Sequence, residues 1–201
     1  MIEDVLAQIA TSPWALPLMF ALVLGDAVLV VIPGEVAVTA FGALAVSTGS
    51  PPLLAVVAVA TLGALLGDVG CYLLGRWVGL DRWRWMRGPR VQAGFEWARA
   101  RLDRRTAVVL FTARFIPFAR LAVNLTAGAS RIAAPRYFLV AGLAALGWAA
   151  YQALIGAAVA AVLPGGPVVA VIVSVAVAVG IGLVIDAIST HRGRRRTGGA
   201  R

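Results

Sequence analysis

A chain of 201 residues with 61% hydrophobic side chains and a mean hydropathy of +0.90 exceeds the apolar share of a soluble domain and points to a single membrane-embedded bundle. Its net charge of +9 is carried by arginine, with no lysine; nine of the 18 arginines lie between Arg76 and Arg105 and five more from Arg192 to Arg201, a banding that fits cytoplasmic flanks and excludes one basic face for nucleic acid. The single cysteine, Cys71, excludes a disulfide framework or a cysteine-based metal site within the chain, and the single histidine, His191, falls in the tail, which argues against histidine phosphatases and metal hydrolases.

In chain order, the first dozen residues carry Glu3 and Asp4 without a basic side chain, and lack the basic n-region and cleavage site of a signal peptide. They read as a short interfacial segment. The apolar stretch from Pro13 to Ser47 is too long for one plain span and is interrupted by Asp26, Pro33, Gly34 and Glu35, which predicts a re-entrant hairpin. One arm covers about 14–31 and the other about 35–46, with Pro33-Gly34 at the turn and Glu35 in the first turn of the returning helix, where the helix dipole favours a carboxylate. After the loop 47–52, residues 53–74 form the first full span. The segment 76–105 is basic and rich in tryptophan. Within it Val91, Phe95, Ala98 and Leu102 share one helical face, the pattern of an amphipathic helix in the cytoplasmic interface.

Residues 106–130 are apolar except around Phe111-Thr-Ala-Arg114-Phe-Ile-Pro117-Phe-Ala-Arg120. An arginine at the centre of a membrane helix costs roughly 2.5–3.5 kcal/mol on insertion scales, so two of them require an anionic ligand or acidic partners. Pro117 breaks the helix between them. In an unbroken helix these arginines would project from different faces; the break can aim both at one group. Arg105 before and Arg131 and Arg136 after place both ends of this stretch inside, which predicts a second re-entrant hairpin. Spans at 137–163 and 168–188, joined by Pro164-Gly-Gly-Pro167, complete the chain. The fold expected is an all-α membrane bundle of three full spans, two opposed hairpins forming an inverted repeat, and an interfacial helix. It makes one domain over 1–189, and 190–201 form a basic, disordered tail. The N-terminus is outside and the C-terminus cytoplasmic. Transporters place substrate sites at such helix breaks.

The run Gly63-Ala-Leu-Leu-Gly67-Asp68-Val-Gly-Cys-Tyr72-Leu-Leu-Gly75-Arg76-Trp-Val-Gly79 resembles the GAxxGDxxxYxxGRxxG signature of the bacterial DedA family, also called VTT or SNARE-associated membrane proteins. The arginine stretch is similar to its F-x-x-R-x-x-P-x-x-R motif, and Asp26 with Pro33-Gly34-Glu35 to its acidic motif. Ala127-Gly128, Phe138, Gly142 and Trp148 follow at the family's spacing, so the resemblance covers about 26–156. Asp26 stands for the commoner Glu, Val31 for a proline and Ile132 for a frequent Met. The resemblance implies lipid translocation in the bacterial cell membrane: bacterial members are similar to undecaprenyl phosphate flippases of the cell envelope, and eukaryotic relatives scramble phospholipids.

The residues agree with that chemistry. Arginine's planar fork matches a phosphate bidentately, so Arg114 and Arg120 are the candidate phosphate ligands. Asp26 and Glu35 are candidates for proton coupling or counter-charge under a proton motive force, and Asp68 is either a structural partner or a pathway member. Pro33, Gly34 and Pro117 are the helix breaks, with Gly67 and Gly75 set for close helix packing. Competing readings are a buried ion-pair network of Asp26, Glu35, Arg114 and Arg120, a proton-driven exporter of cationic compounds, and a membrane scaffold. An enzyme is not expected: Gly67-Asp68 lacks the rest of an intramembrane aspartyl protease motif. Neither cofactor nor metal is expected; the partners are a membrane lipid and protons, with a homo-oligomer left open.

Overall fold

The computed structural model describes residues 8–27, 34–78, 88–89, 92–93, 96, 108–114, 117–162, 169, 172–173, 176 and 180. The expected turn at Pro33, most of the amphipathic segment, most of the last span and the tail lie outside these residues. Five helices carry the described fold: α1 (Ala15–Asp26), α2 (Gly34–Ser47), α3 (Leu53–Val78), α4 (Pro117–Ala129) and α5 (Ala134–Val162). A further helical piece at 108–113 precedes α4. No strand occurs among the described residues.

Length separates these helices into two classes. At 1.5 Å per residue, α3 and α5, with 26 and 29 residues, are roughly 39 and 44 Å long, and both are apolar enough to cross a hydrocarbon core of ~30 Å. In contrast α1, α2 and α4, with 12, 14 and 13 residues, reach only roughly 18–21 Å. The outer surfaces of the long helices are as apolar as their packed ones: Leu54, Leu62, Leu66 and Leu74 on α3 and Leu139, Leu143 and Leu154 on α5 are exposed. The inward faces carry mainly small residues, the distribution of helices packed against lipid on one side and protein on the other.

On α3, Val56, Ala60, Ala64, Asp68 and Tyr72 recur every four residues and are all buried, forming one inward stripe. Facing it on α5 run Tyr137, Ala141, Ala145, Trp148, Ala149 and Ala153. These stripes belong to two apolar clusters. One gathers α1, α2, Val56 to Ala64 and Ala145 to Ala153; the other gathers Tyr72, the 108–113 piece, α4, Tyr137 and Ala141. Asp68 lies at the seam between them. A polar side chain is tolerated there only with partners, since burying an unpaired charge is costly.

Close packing is set by glycines and occurs twice in the same form. A Cβ on Gly42 of α2 would overlap the main chain at Ala153 of α5, and one on Gly156 of α5 would overlap Thr39 of α2. Likewise a Cβ on Gly128 of α4 would overlap the Tyr72 carbonyl of α3, and one on Gly75 of α3 would overlap that of Leu125. Two of the short helices thus run antiparallel to a long one, backbone against backbone: α2 on α5 and α4 on α3. Gly67 makes a third close approach, to Ala27. Gly67 and Gly75 are packing residues, as their spacing implies.

Helix ends follow local chemistry. Pro117 opens α4, where its missing N–H costs nothing and its fixed φ favours a helix start; Arg114 terminates the preceding piece in a turn. After α2, Gly49 takes a φ of 74°, and after α4 Arg131 takes a φ of 53°. At that second corner the Tyr72 hydroxyl donates to Ile132 O at 2.6 Å and accepts from Arg76 Nη1 at 3.0 Å. The Arg76 bond belongs to the part of α3 that runs four residues beyond the expected end at 74. Tyr72→Phe should therefore lower the thermal stability of the detergent-solubilised protein by about 1–3 kcal/mol, the cost of leaving a part-buried carbonyl unpaired, with secondary structure unchanged.

Candidate functional site

The buried charges converge on Asp68, which is 1% exposed. Arg114 Nη1 donates to Asp68 Oδ2 at 2.5 Å, and Arg120 Nε donates to Oδ1 at 2.8 Å. Asn124 Nδ2 donates to the same Oδ1 at 2.8 Å. Arg120 spends its remaining nitrogens on Asp26 Oδ2, at 3.2 Å, and on Ala64 O, at 3.4 Å. The Tyr137 hydroxyl lies 3.0 Å from both Asn124 Oδ1 and the main-chain oxygen of Asp68, and its ring stacks on Tyr72 with centroids 4.2 Å apart.

The fold explains the convergence. The interruption between the 108–113 piece and α4 places Arg114 on one side of Asp68 and Arg120 on the other, while Arg120 and Asn124, four residues apart on α4, share a face. Asp26 ends α1. Its side chain lies against Gly34, where a Cβ would come within 2.9 Å of Asp26 Cβ; only glycine at the start of α2 leaves that carboxylate its place beside Arg120. The Arg114 guanidinium also sits 5.8 Å from the Trp148 ring centroid, within cation–π range.

Arg114 and Arg120, together with Asp26, are brought into one cluster, and Asp68 is its hub. Glu35 stands apart: it occupies the first turn of α2 and is exposed, outside these ion pairs. Gly34 and Pro117 flank the breaks, whereas Pro33 lies outside the described residues. Sequence reasoning passed over Asn124 and Tyr137 altogether. The signal for Asn124 was its i+4 relation to Arg120 in an otherwise apolar helix; Tyr137 offered none, since a tyrosine at the end of a span also reads as an interfacial anchor.

The cluster is neutral as paired, with Arg114 and Arg120 set against Asp68 and Asp26, yet it is not saturated. Arg114 Nε and Nη2 are buried without a hydrogen-bond partner among the described residues. These are the parallel donors along one edge of the guanidinium, the edge that receives a carboxylate or phosphate bidentately. The space bounded by Asp68, Leu110, Ala113, Arg114, Arg120 and Asn124 is too narrow for a water molecule. The same 108–113 piece and α5 also form an apolar groove of about 400 Å³, lined by Val108, Phe111, Thr112, Val140, Leu143 and Ala144.

Comparison with known proteins bears on the family of the chain. The VTT domain family matches residues 32–158, which include every residue of the cluster except Asp26. Undecaprenyl phosphate transporter A of Bacillus subtilis (strain 168) is 27% identical over 124 residues, 59% of this chain and 60% of that protein. An alkaline phosphatase-like protein of Lactococcus lactis subsp. lactis (strain IL1403) is 25% identical over 134 residues, 63% of this chain and 62% of that protein. The chain thus spans about three fifths of the length of these curated relatives. No solved structure matches it.

Proposed function

The chain belongs to the VTT-domain, or DedA, family, and from that premise we propose that it is a membrane transporter that carries a lipid phosphate across the bilayer, undecaprenyl phosphate being the first candidate. The observation that carries this reading is the open donor edge of Arg114, buried and unpartnered among the described residues, beside a second buried arginine. A buried donor left unpaired costs about 1–3 kcal/mol, more when charged, so its persistence calls for a ligand. A phosphate monoester brings acceptor oxygens and a charge of about −1.5 to −2. The apolar groove alongside gives the aliphatic chain a lateral place while the headgroup is inside. The name of the Bacillus subtilis relative supports this substrate class; the phosphatase-like name of the other, at 25% identity, does not establish catalysis.

In this reading the short helices α1 and α2, and the 108–113 piece with α4, are re-entrant hairpins entering from opposite faces. The repeated glycine packing of α2 on α5 and α4 on α3 supports an inverted repeat whose breaks meet at the cluster. The arginine-rich 76–105 segment and the C-terminus face the cytoplasm. Asp26, already paired with Arg120, and exposed Glu35 serve as the proton-coupling carboxylates. A cation exporter would use Asp26 and Glu35 as its cargo ligands, and of these Asp26 is already held by Arg120.

The test is transbilayer movement of a polyprenyl phosphate in proteoliposomes, followed by its accessibility to an added phosphatase, with and without a pH gradient. Arg114→Gln should slow movement about 10- to 100-fold, the equivalent of one charge-assisted interaction of 1.5–3 kcal/mol. Glu35→Gln should remove the response to the gradient. Undiminished movement in Arg114→Gln would sink the phosphate role of that residue, and movement of a cationic compound in place of the lipid would establish the exporter.

A further inference from the structure

Arg120 differs from Arg114 in having a bond on every guanidinium nitrogen, Nε to Asp68, Nη1 to Asp26 and Nη2 to Ala64 O, which leaves one N–H on each Nη but no free Nε–Nη2 edge. A phosphate has the unpartnered Nε–Nη2 edge of Arg114 to bond once the tightly packed site opens, but it can take the same edge of Arg120 only by displacing Asp68 and Ala64 O. Asp68 is the group in its way. It takes both arginines at once, with Asn124 as a third donor, and the space around it does not admit even water. Charge makes the two anions rivals: Asp68 already holds both arginines, so an added phosphate competes with it for the same two cations.

We propose that Asp68 is an internal stand-in for the substrate's phosphate, releasing the arginines when a lipid phosphate binds and recapturing them when it leaves, with Asn124 and Tyr137 as the positioning residues that hold it in that seat. This rests on the phosphate reading above. Asp26 is the weaker competitor: among the described residues its one ion pair is with Arg120, at 3.2 Å, and its side chain is 17% exposed against 2% for Asp68. Asn124 fixes Oδ1 of Asp68, and the Tyr137 hydroxyl, between Asn124 Oδ1 and the Asp68 main chain, fixes Asn124. Such an exchange spares the empty transporter from carrying two bare buried cations. It also makes the apparent affinity for substrate weaker than the intrinsic one, by the fraction of time the arginines are free of Asp68.

The experiment is equilibrium binding of farnesyl phosphate to the full chain in nanodiscs, with farnesol as the control lacking the anionic headgroup. Asp68→Asn keeps the side-chain shape and removes the competing charge, and should bind farnesyl phosphate at least about tenfold more tightly than wild type. Tyr137→Phe keeps the ring stack and removes only the hydroxyl, and should tighten binding about threefold; farnesol binding should change in neither. Weaker binding than wild type in either variant, with monodisperse elution retained, overturns the proposal and makes Asp68 a strut that orients the arginines. Should Asp68→Asn not yield folded protein, Tyr137→Phe decides alone. If wild type prefers farnesyl phosphate to farnesol and Arg114→Gln loses that preference, the phosphate reading stands and these variants judge the exchange. If wild type shows no such preference, the phosphate reading falls and the exchange falls with it.

Discussion

Gly128→Ala should yield little or no folded protein, although it adds a single methyl group to a helix. The new Cβ would overlap the Tyr72 carbonyl and come within 2.8 Å of the Arg76 amide nitrogen. Both neighbours are main chain in the interior of α3 and cannot turn aside as a side chain would. Relief requires α4 to move off α3. That motion carries Arg120 and Asn124 away from Asp68, because all three contacts depend on the same helix pair. Overpacking alone costs typically 1–3 kcal/mol, and breaking a buried ion pair about 3–5 kcal/mol; together these approach the 5–15 kcal/mol that stabilises a typical domain. Gly142→Ala supplies the control. The nearest atom to its added Cβ is 3.9 Å away, on Leu65, so it should be neutral or slightly stabilising through helix propensity. Yield, elution profile and thermal unfolding in one detergent test the pair. A Gly128→Ala protein melting like wild type would show that α3 and α4 do not depend on this contact.

That contact also shows where sequence reasoning reached its limit. The long helices α3 and α5 were legible because uninterrupted apolar runs of their length have few other fates in a chain this hydrophobic. Arg114 and Arg120 stood out because burying them is costly enough to demand an explanation. Asp68 was noticed but its part stayed open, because an acidic residue in an apolar helix is equally at home as a strut or a ligand, and its partners lie 46 and 52 positions away. The two-fold packing was hidden for a related reason. What corresponds between the halves is where glycine permits backbone contact, and the residues met there, Ala153 and Tyr72, or Thr39 and Leu125, share no chemistry for a sequence comparison to find. Asn124 and Tyr137 are neutral polar residues whose burial is inexpensive once bonded, so neither announced itself.

Arg120→Met should destabilise the protein far more than Arg114→Met, and this difference separates scaffold from ligand. Arg120 donates to Asp68, Asp26 and Ala64 O. Its removal leaves Asp26 without its ion pair and costs about 3–5 kcal/mol, as for other buried pairs broken from one side. Arg114 holds Asp68 through Nη1 alone, and replacing it also removes Nε and Nη2, the buried donors left unpartnered among the described residues. Asp68 would keep Arg120 and Asn124, so the net cost should be nearer 1–2 kcal/mol. Adding Asp26→Asn to Arg120→Met should recover part of the loss, since removing both members of a pair leaves less charge stranded. Thermal or denaturant unfolding of the three variants and wild type in one detergent measures all of this. Equal losses at the two arginines, or no recovery in the double variant, would mean that the ion pairs do not share the load in this way. An arginine that costs little stability when removed and yet is required for transport is a ligand, and under the phosphate reading the unequal bonding of this cluster predicts that behaviour for Arg114.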